Sequence, residues 1–466
     1  MTAARMVVTD PETGETVGTV PRLTASDALS ALDRADGARA EIAALPTHAR
    51  MAALSSVASK LEAAVEPVAT LIAREGIKTI NEARSEVARA VETLRVSAEA
   101  ARRLSGETIR FDQYPSGIGR TGWAEPVPVG VVLGITPFND PLNLVAHKVG
   151  PAIAAGCPIL LKPHAETPLS ATWLVNALAD QLPDGAVQIL TGHGSEIVAP
   201  LLADDRVRLV SFTGGLETGR RIAAAAGLTR LVMELGSNCA TIVMDDADIS
   251  RAAEACVSGA VAAAGQNCLH VQRIIAHRAI MPDLRERIAD GFRSTIVGPK
   301  RDERTQMGCL IDGRSARRVH AMARHAIEAG ARLLAGGTRD GVSVAPTLLE
   351  HVDAGDPLLK DEVFGPITVL IAVDDIDEAI DVANATPFGL QAGLFTQRLE
   401  QAQKAIRTLD VGAVIVNDST DYRLDAMPFG GTGHSGIGRE GVGAAIAAMT
   451  EPKVACFRLP SSMTGT

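Results

Sequence analysis

Two successive α/β units with parallel sheets are what this chain predicts, and three features predict them. From residue 129 onward, short apolar and β-branched runs alternate with amphipathic helical stretches, the pattern of strands covered by helices on both faces. Apolar residues make up 46% and charged residues 21%, so the chain can bury a core and disorder is excluded. The 466 residues amount to about three typical domain lengths, room for two such units and a smaller third part. Aromatics are only 3%, so the core has to pack small aliphatic side chains closely.

The elements follow in order. Residues 24–104 carry Ala, Leu, Val and Ile at three- and four-residue spacing between Glu and Arg, which predicts helices, with Ser26-Asp27 and Thr47 as caps for two of them. Residues 111–125 break that pattern with Gly and Pro and read as a hairpin leaving the body. Strands are then predicted at 129–136, 158–162, 187–190, 207–212 and 231–234, with helices between them at 142–155, 168–181, 195–203 and 216–226. A second series opens with a strand at 240–244, a helix at 251–264, a strand at 273–277 and a helix at 282–296, and runs on to Val416. The segment 453–460 is β-rich and apolar. Left unpaired it would be an exposed edge, so together with the hairpin it is expected to pair with another subunit.

Lys plus Arg number 45 against 55 Asp plus Glu, a net charge of -10. Nucleic acids and anionic membranes reward clustered Lys and Arg, so neither is an expected partner. Six cysteines, at 157, 239, 256, 268, 309 and 456, lack CxxC or CxxH spacing. Neither a disulfide framework nor a metal site is therefore expected, and free thiols fit a reducing cytoplasm. The first ten residues show no basic segment followed by an apolar one, so no secretory signal is expected. The most apolar windows, 129–136 and 153–161, are far shorter than the ~20 residues a membrane helix needs.

Ligands of parallel sheets bind beyond the carboxyl ends of the strands. Those ends carry Thr136-Pro137-Phe138-Asn139, Lys162, Thr213-Gly214-Gly215 and Glu234. Glycines between a strand and a helix let backbone N–H groups approach a pyrophosphate, although such a turn is commonly mere punctuation and the GxGxxG fingerprint is absent. Lys162 either marks a strand's exit to solvent or donates to ribose hydroxyls. Cys268, just past a helical stretch that ends at Gly265, is either a buried inert thiol or a nucleophile, which needs an electropositive or donor-rich setting and a base in reach. Glu234 is the candidate base, because burial at a strand end raises a carboxyl toward the range useful for proton transfer.

The set Pro137-Phe138-Asn139, Lys162-Pro163, Phe212-Thr213-Gly214, Met233-Glu234-Leu235-Gly236, Gly265-Gln266-Asn267-Cys268, Glu362-Val363-Phe364-Gly365-Pro366 and Pro428-Phe429-Gly430-Gly431 resembles the aldehyde dehydrogenase superfamily, in its order and over nearly the whole chain. The resemblance implies a Rossmann-like cofactor domain (1–108 and 126–234), an α/β catalytic domain (235–445) and an oligomerisation segment (109–125 and 446–466) in a homodimer or homotetramer. It implies that Cys268 adds to the aldehyde, that Asn139 and the Cys268 N–H hold the oxyanion, and that Glu234 activates the hydrolytic water. It assigns NAD or NADP to Thr136, Pro137, Lys162, Ala165, Gly214, Gly215, Glu362 and Phe364, and calls for no metal.

Two departures bear on specificity. The acid that relatives often carry three positions after the lysine is Ala165 here, with Glu166 one further on. Repulsion of a 2′-phosphate is thereby reduced and His164 is a possible donor to it, so the sequence leaves NAD against NADP open. The Glu-Leu-Gly-Ser form at 234–237, with Asn139-Asp140-Pro141 and Arg423-Leu424-Asp425-Ala426-Met427-Pro428, is similar to the branch of lactaldehyde, non-phosphorylating glyceraldehyde-3-phosphate and phosphonoacetaldehyde dehydrogenases. That likeness implies a small aldehyde, anionic or hydroxylated, whose oxyanion meets Arg423 and Arg89. The alternatives are a CoA-acylating enzyme and a dehydrogenase for neutral aldehydes or succinate semialdehyde.

Overall fold

The strand Val131–Ile135 is buried along its whole length and stands where the first sheet changes direction. In the computed structural model, which describes residues 4–459, chain order runs from it through Ile159–Lys162 and Val187–Ile189 on one side. On the other side come Val207–Thr213 and Arg230–Glu234, all four strands parallel to it in their pairings. Such a reversal opens a crevice at the carboxyl ends of the central strands. A short strand, Gly436–Ile437, closes this six-stranded sheet antiparallel to Arg230–Glu234.

Helices cover both faces. The helix Asn143–Ala155 is buried at every position, packed between the sheet and the helices Thr47–Ala63 and Ile80–Arg103. The opposite face takes Ala25–Gly37, Gly194–Leu202 and Leu216–Ala225. A second sheet of seven strands is ordered Arg332–Ala335, Thr347–Glu350, Ile367–Val373, Arg273–His277, Ala240–Val243, Gln391–Phe395 and Ala413–Val416, parallel except at its first pair. No helix among the described residues is long and apolar enough to cross a membrane.

Several expectations are corrected in detail. Thr24, not Ser26-Asp27, caps the first helix, in a reciprocal box with Asp27, worth about 1 kcal/mol. The helix Thr47–Ala63 already contains Thr47 and begins after Pro46, without a side-chain cap. The hairpin expected at 111–125 is two short 3-10 turns followed by a strand that runs on as Arg120–Pro128. That strand pairs within the chain over nine residues with Thr450–Arg458, from Pro128 opposite Thr450 to Arg120 opposite Arg458, so only the outer edge of the latter is free among the described residues. Residues 460–466 lie outside the described residues. The helix Val442–Ala448 packs with the first sheet's helices, so the chain returns to the first unit before residue 445. An N-terminal hairpin, Arg5–Thr9 with Thr16–Pro21, has no counterpart among the predicted elements.

Candidate active site

Three loops converge on Cys268. The helix Ile249–Val261 stops in a tight turn in which Ala263 and Ala264 both hold left-handed backbone, at φ 51° and 52°. Each costs about 1–2 kcal/mol for a residue with a Cβ, and the turn is fastened by Ala263 N–H donating to Glu82 Oε1 at 2.7 Å. Gly265 follows at φ 68°, and a Cβ there would collide with the backbone of Gly365. Beyond it, Asn267 Oδ1 accepts from Leu269 N–H at 2.8 Å while its Nδ2 donates to Asp421 Oδ1 at 2.7 Å. Ser237 Oγ donates to the Cys268 carbonyl, and Ser237 N–H donates to Glu362 Oε1 at 3.0 Å. The thiol-bearing loop is thus tied to the strand end that carries Glu234 and to the loop that carries Glu362.

Glu234 ends its strand opposite Thr213 and is 2% exposed. Burial, then the nearby Glu440, pushes its carboxyl up to about 8, with the Arg423 guanidinium opposing. Burial and the Glu234 carboxyl hold the Cys268 thiol well above its ordinary value, again against Arg423. Each group acts on the other's proton affinity, and at neutral pH the resting pair carries its protons. An electropositive setting that ionises the sulfur outright is not what surrounds it: one guanidinium is outweighed by burial and a carboxyl.

Arg423 is where the two loops meet. Its side chain is 8% exposed, its guanidinium stacks 3.9 Å over the Phe429 ring, and Nη2 lies 3.6 Å from Glu440 Oε2. Both Nε and Nη2 lack a hydrogen-bond partner. Glu440 itself is held by Lys148 Nζ at 2.9 Å and by Thr213 Oγ1. Burial alone would raise it, yet Lys148 and Arg423 pull it down to about 2.

A second polar group adjoins this one. Arg89 donates from Nε and Nη2 to the two oxygens of Asp425, at 3.1 and 2.8 Å, and from Nη1 to Asp140 Oδ2 at 3.3 Å. Lys78 pairs with Asp140 and with Glu86. Asp425 also accepts from Asn143 Nδ2 at 3.0 Å and meets His147 Nε2 at 2.8 Å. Arg89, expected to grip an anion, therefore has its guanidinium fork filled by Asp425. Lys148, His147, Asp140, Asp425 and Glu440 were not singled out from the sequence. The available signal was a lysine and a histidine inside an otherwise apolar helix, which demand buried partners.

The remaining expected residues line the crevice of the first sheet. Thr136, Pro137 and Asn139 follow its central strand, and Thr136 Oγ1 and Asn139 Oδ1 are buried without partners. Lys162 ends the next strand, 5% exposed, bonded only to the Pro163 carbonyl at 2.6 Å, and burial lowers it to about 8. Gly214 and Gly215 precede the helix Leu216–Ala225, and a Cβ on Gly215 would meet only open space. Phe364 stands edge-on to Phe138 at 5.7 Å between ring centroids. Burial raises Glu362 to about 7, and it lies so near Gly236 that a Cβ there would collide with its carboxylate. Ala165 is half-buried beside an exposed Glu166. Burial and Lys162 lower His164 to about 4, so at neutral pH its ring has an N–H donor but no positive charge to offer a 2′-phosphate. An ammonium buried with no counter-ion among the described residues, orphaned hydroxyl and amide oxygens, and a glycine, Gly215, that opens on free space at a helix start fit a dinucleotide.

Residues 1–455 match the Aldehyde dehydrogenase family. The chain is 44% identical over 454 residues to Aspartate-semialdehyde dehydrogenase 1 of Pseudomonas canavaninivorans, covering 97% of this chain and 96% of that one. It is 42% identical over 413 residues to 3-sulfolactaldehyde dehydrogenase of Priestia megaterium, covering 88% and 87%. Among solved structures it resembles the NADP-dependent glyceraldehyde-3-phosphate dehydrogenase of Bacillus halodurans C-125 complexed with NADP, at a TM-score of 0.96 and 35% identity over 98% of this chain and 97% of that one. With the family's motifs standing at the carboxyl ends of its fold and a crevice that fits NAD or NADP, the chain belongs to the aldehyde dehydrogenase family.

Proposed function

We propose that this dehydrogenase oxidises a short aldehyde carrying an acid group to the corresponding carboxylic acid, with Cys268 as nucleophile. The observation that carries the reading is the pairing of the half-buried Cys268 thiol with the buried Glu234 carboxyl, each displacing the other's protonation. In its ionised form Glu234 takes the thiol proton as sulfur bonds to the carbonyl carbon, and the new alkoxide accepts from the Asn139 amide and the Cys268 N–H. NAD(P), when bound, supplies the hydride acceptor for the resulting thiohemiacetal. Glu234 passes the thiol proton on to solvent and then takes a proton from the water that attacks the thioester left on Cys268, and the sulfur leaves as thiolate. Lys162, Thr136, Pro137, Gly214, Gly215, Glu362 and Phe364 bind and orient the cofactor, and Ala165 leaves both NAD and NADP admissible.

An acid group on the substrate is supported by the Arg423 guanidinium, whose Nε and Nη2 make no hydrogen bond and meet Glu440 only at 3.6 Å; a guanidinium suits a planar or tetrahedral oxyanion. Three of the relatives' names point the same way: aspartate semialdehyde, 3-sulfolactaldehyde and glyceraldehyde 3-phosphate are all short and each bears an acid group. The free edge of Thr450–Arg458, with Trp123 and Phe457 exposed beside it, supports pairing with a second copy in a homodimer or homotetramer. The test is a panel of short aldehydes, neutral, hydroxylated, carboxylated, sulfonylated and phosphorylated, assayed with each cofactor and with product identification. Acid-bearing aldehydes should give the highest kcat/KM and a free carboxylic acid without CoA. A preference for propanal, or product only with CoA, would defeat the reading.

A further inference from the structure

The loop after Val416 carries two groups of opposite sign that the described residues compensate only in part: Asp421 beside the residue that precedes the thiol, and Arg423, whose field reaches the thiol. Asp421 borders the residue before Cys268: its Oδ1 takes the Asn267 amide, and it makes no ion pair among the described residues. The cations whose fields reach it, Lys78 and Arg89, are committed to Asp140, Glu86 and Asp425. Two residues further on, Arg423 buries Nε and Nη2, the donors of one edge of its guanidinium, without a hydrogen-bond partner, and its one counter-ion among the described residues is Glu440, 3.6 Å from Nη2. These two nitrogens form a side-on fork for a carboxylate. A substrate bearing only an anion would fill the fork and bring its charge toward Asp421, Asp140 and Asp425. One that also bears a cation beside the acid would satisfy both groups.

We infer that Asp421 receives the ammonium group of an α-amino-acid semialdehyde whose carboxylate meets Arg423, so that Asp421 separates amino-bearing from plain acid aldehydes. This rests on the acid-aldehyde reading above and deepens it. Burial keeps the Asp421 carboxyl raised to about 7 when it has only the amide for company, as befits a group that lacks its cation.

The experiment compares kcat/KM for aspartate semialdehyde and for succinate semialdehyde, which lacks only the amino group, in the wild type, Asp421→Asn and Asp421→Glu. The wild type should prefer the amino substrate, and Asp421→Asn should lower its kcat/KM about 10- to 100-fold. Succinate semialdehyde should stay within about twofold, which also reports that the variant is folded. Asp421→Glu should recover part of the preference. Thermal shifts should follow suit, with L-aspartate stabilising the wild type more than succinate does and losing that advantage in Asp421→Asn. A wild type that favours succinate semialdehyde, or an Asn variant that loses both substrates equally, overturns the inference and leaves the acid-aldehyde reading standing. A wild type that oxidises propanal but neither acid aldehyde overturns both.

Discussion

The cluster of Lys78, Asp140, Arg89 and Asp425 and the cluster of Cys268, Glu234 and Arg423 are neighbours, both taken out of water, yet only the first is internally complete. In the first, every charge faces an opposite one, and Arg89 with His147 holds Asp425 well below the usual carboxylate range despite burial. In the second, Glu234 Oε1 and two nitrogens of Arg423 have no partner, and the carboxyl and thiol are both displaced upward. Burial penalises charge in both places. Where partners compensate, it yields a rigid frame; where they do not, it tunes proton affinity, which is what an acid–base pair needs.

Breaking the uncompensated cluster should cost the most activity. Cys268→Ser should lose on the order of 1,000-fold or more in kcat/KM and all covalent adduct, because an alkoxide is not available near neutral pH. Glu234→Gln should slow steady-state turnover about 100-fold; the first turnover, slower because the thiol has lost its base, should still release one reduced cofactor per site. The pH profile sharpens this. A carboxyl raised to about 8 is protonated below that value and a base above it, so wild-type turnover should climb as pH rises through about 8. That limb should be absent in Glu234→Gln.

Breaking the compensated cluster should show in stability first. Asp425→Asn removes the closer of the two carboxylates that face Arg89, leaving Asp140, and should cost about 1–3 kcal/mol in chemical denaturation, the penalty of weakening a partly buried charge cluster. A native-like midpoint in that variant would mean that the cluster is not the frame described. The smallest effect is expected away from both clusters: Ala165→Glu should lower the NADP to NAD ratio of kcat/KM by about tenfold, by setting a carboxylate where the adenosine ribose is bound.

The strand and helix alternation was legible from residue 129 onward because strands buried on both faces read as unbroken apolar runs. Glu234, Lys162 and Asn139 were legible for the same reason: each is a polar residue placed where such a run ends. The first cap was misplaced because Ser26, Asp27 and Thr24 all suit the position, and only the reciprocal bond to Thr24 decides among them. The pairing of Arg120–Pro128 with Thr450–Arg458, and of Arg89 with Asp425, joins residues more than 300 positions apart, which no local pattern encodes. The thiol's protonation is not legible in the sequence because it depends on Glu234 and Arg423 arriving from two other segments.

The account stands most directly on one measurement: intact mass of Glu234→Gln mixed with NAD(P) and an acid-bearing aldehyde, quenched in acid after the first turnover and mapped by peptide. It predicts an acyl group on Cys268 in amounts matching the reduced cofactor formed. Reduced cofactor accumulating with Cys268 unmodified would contradict it.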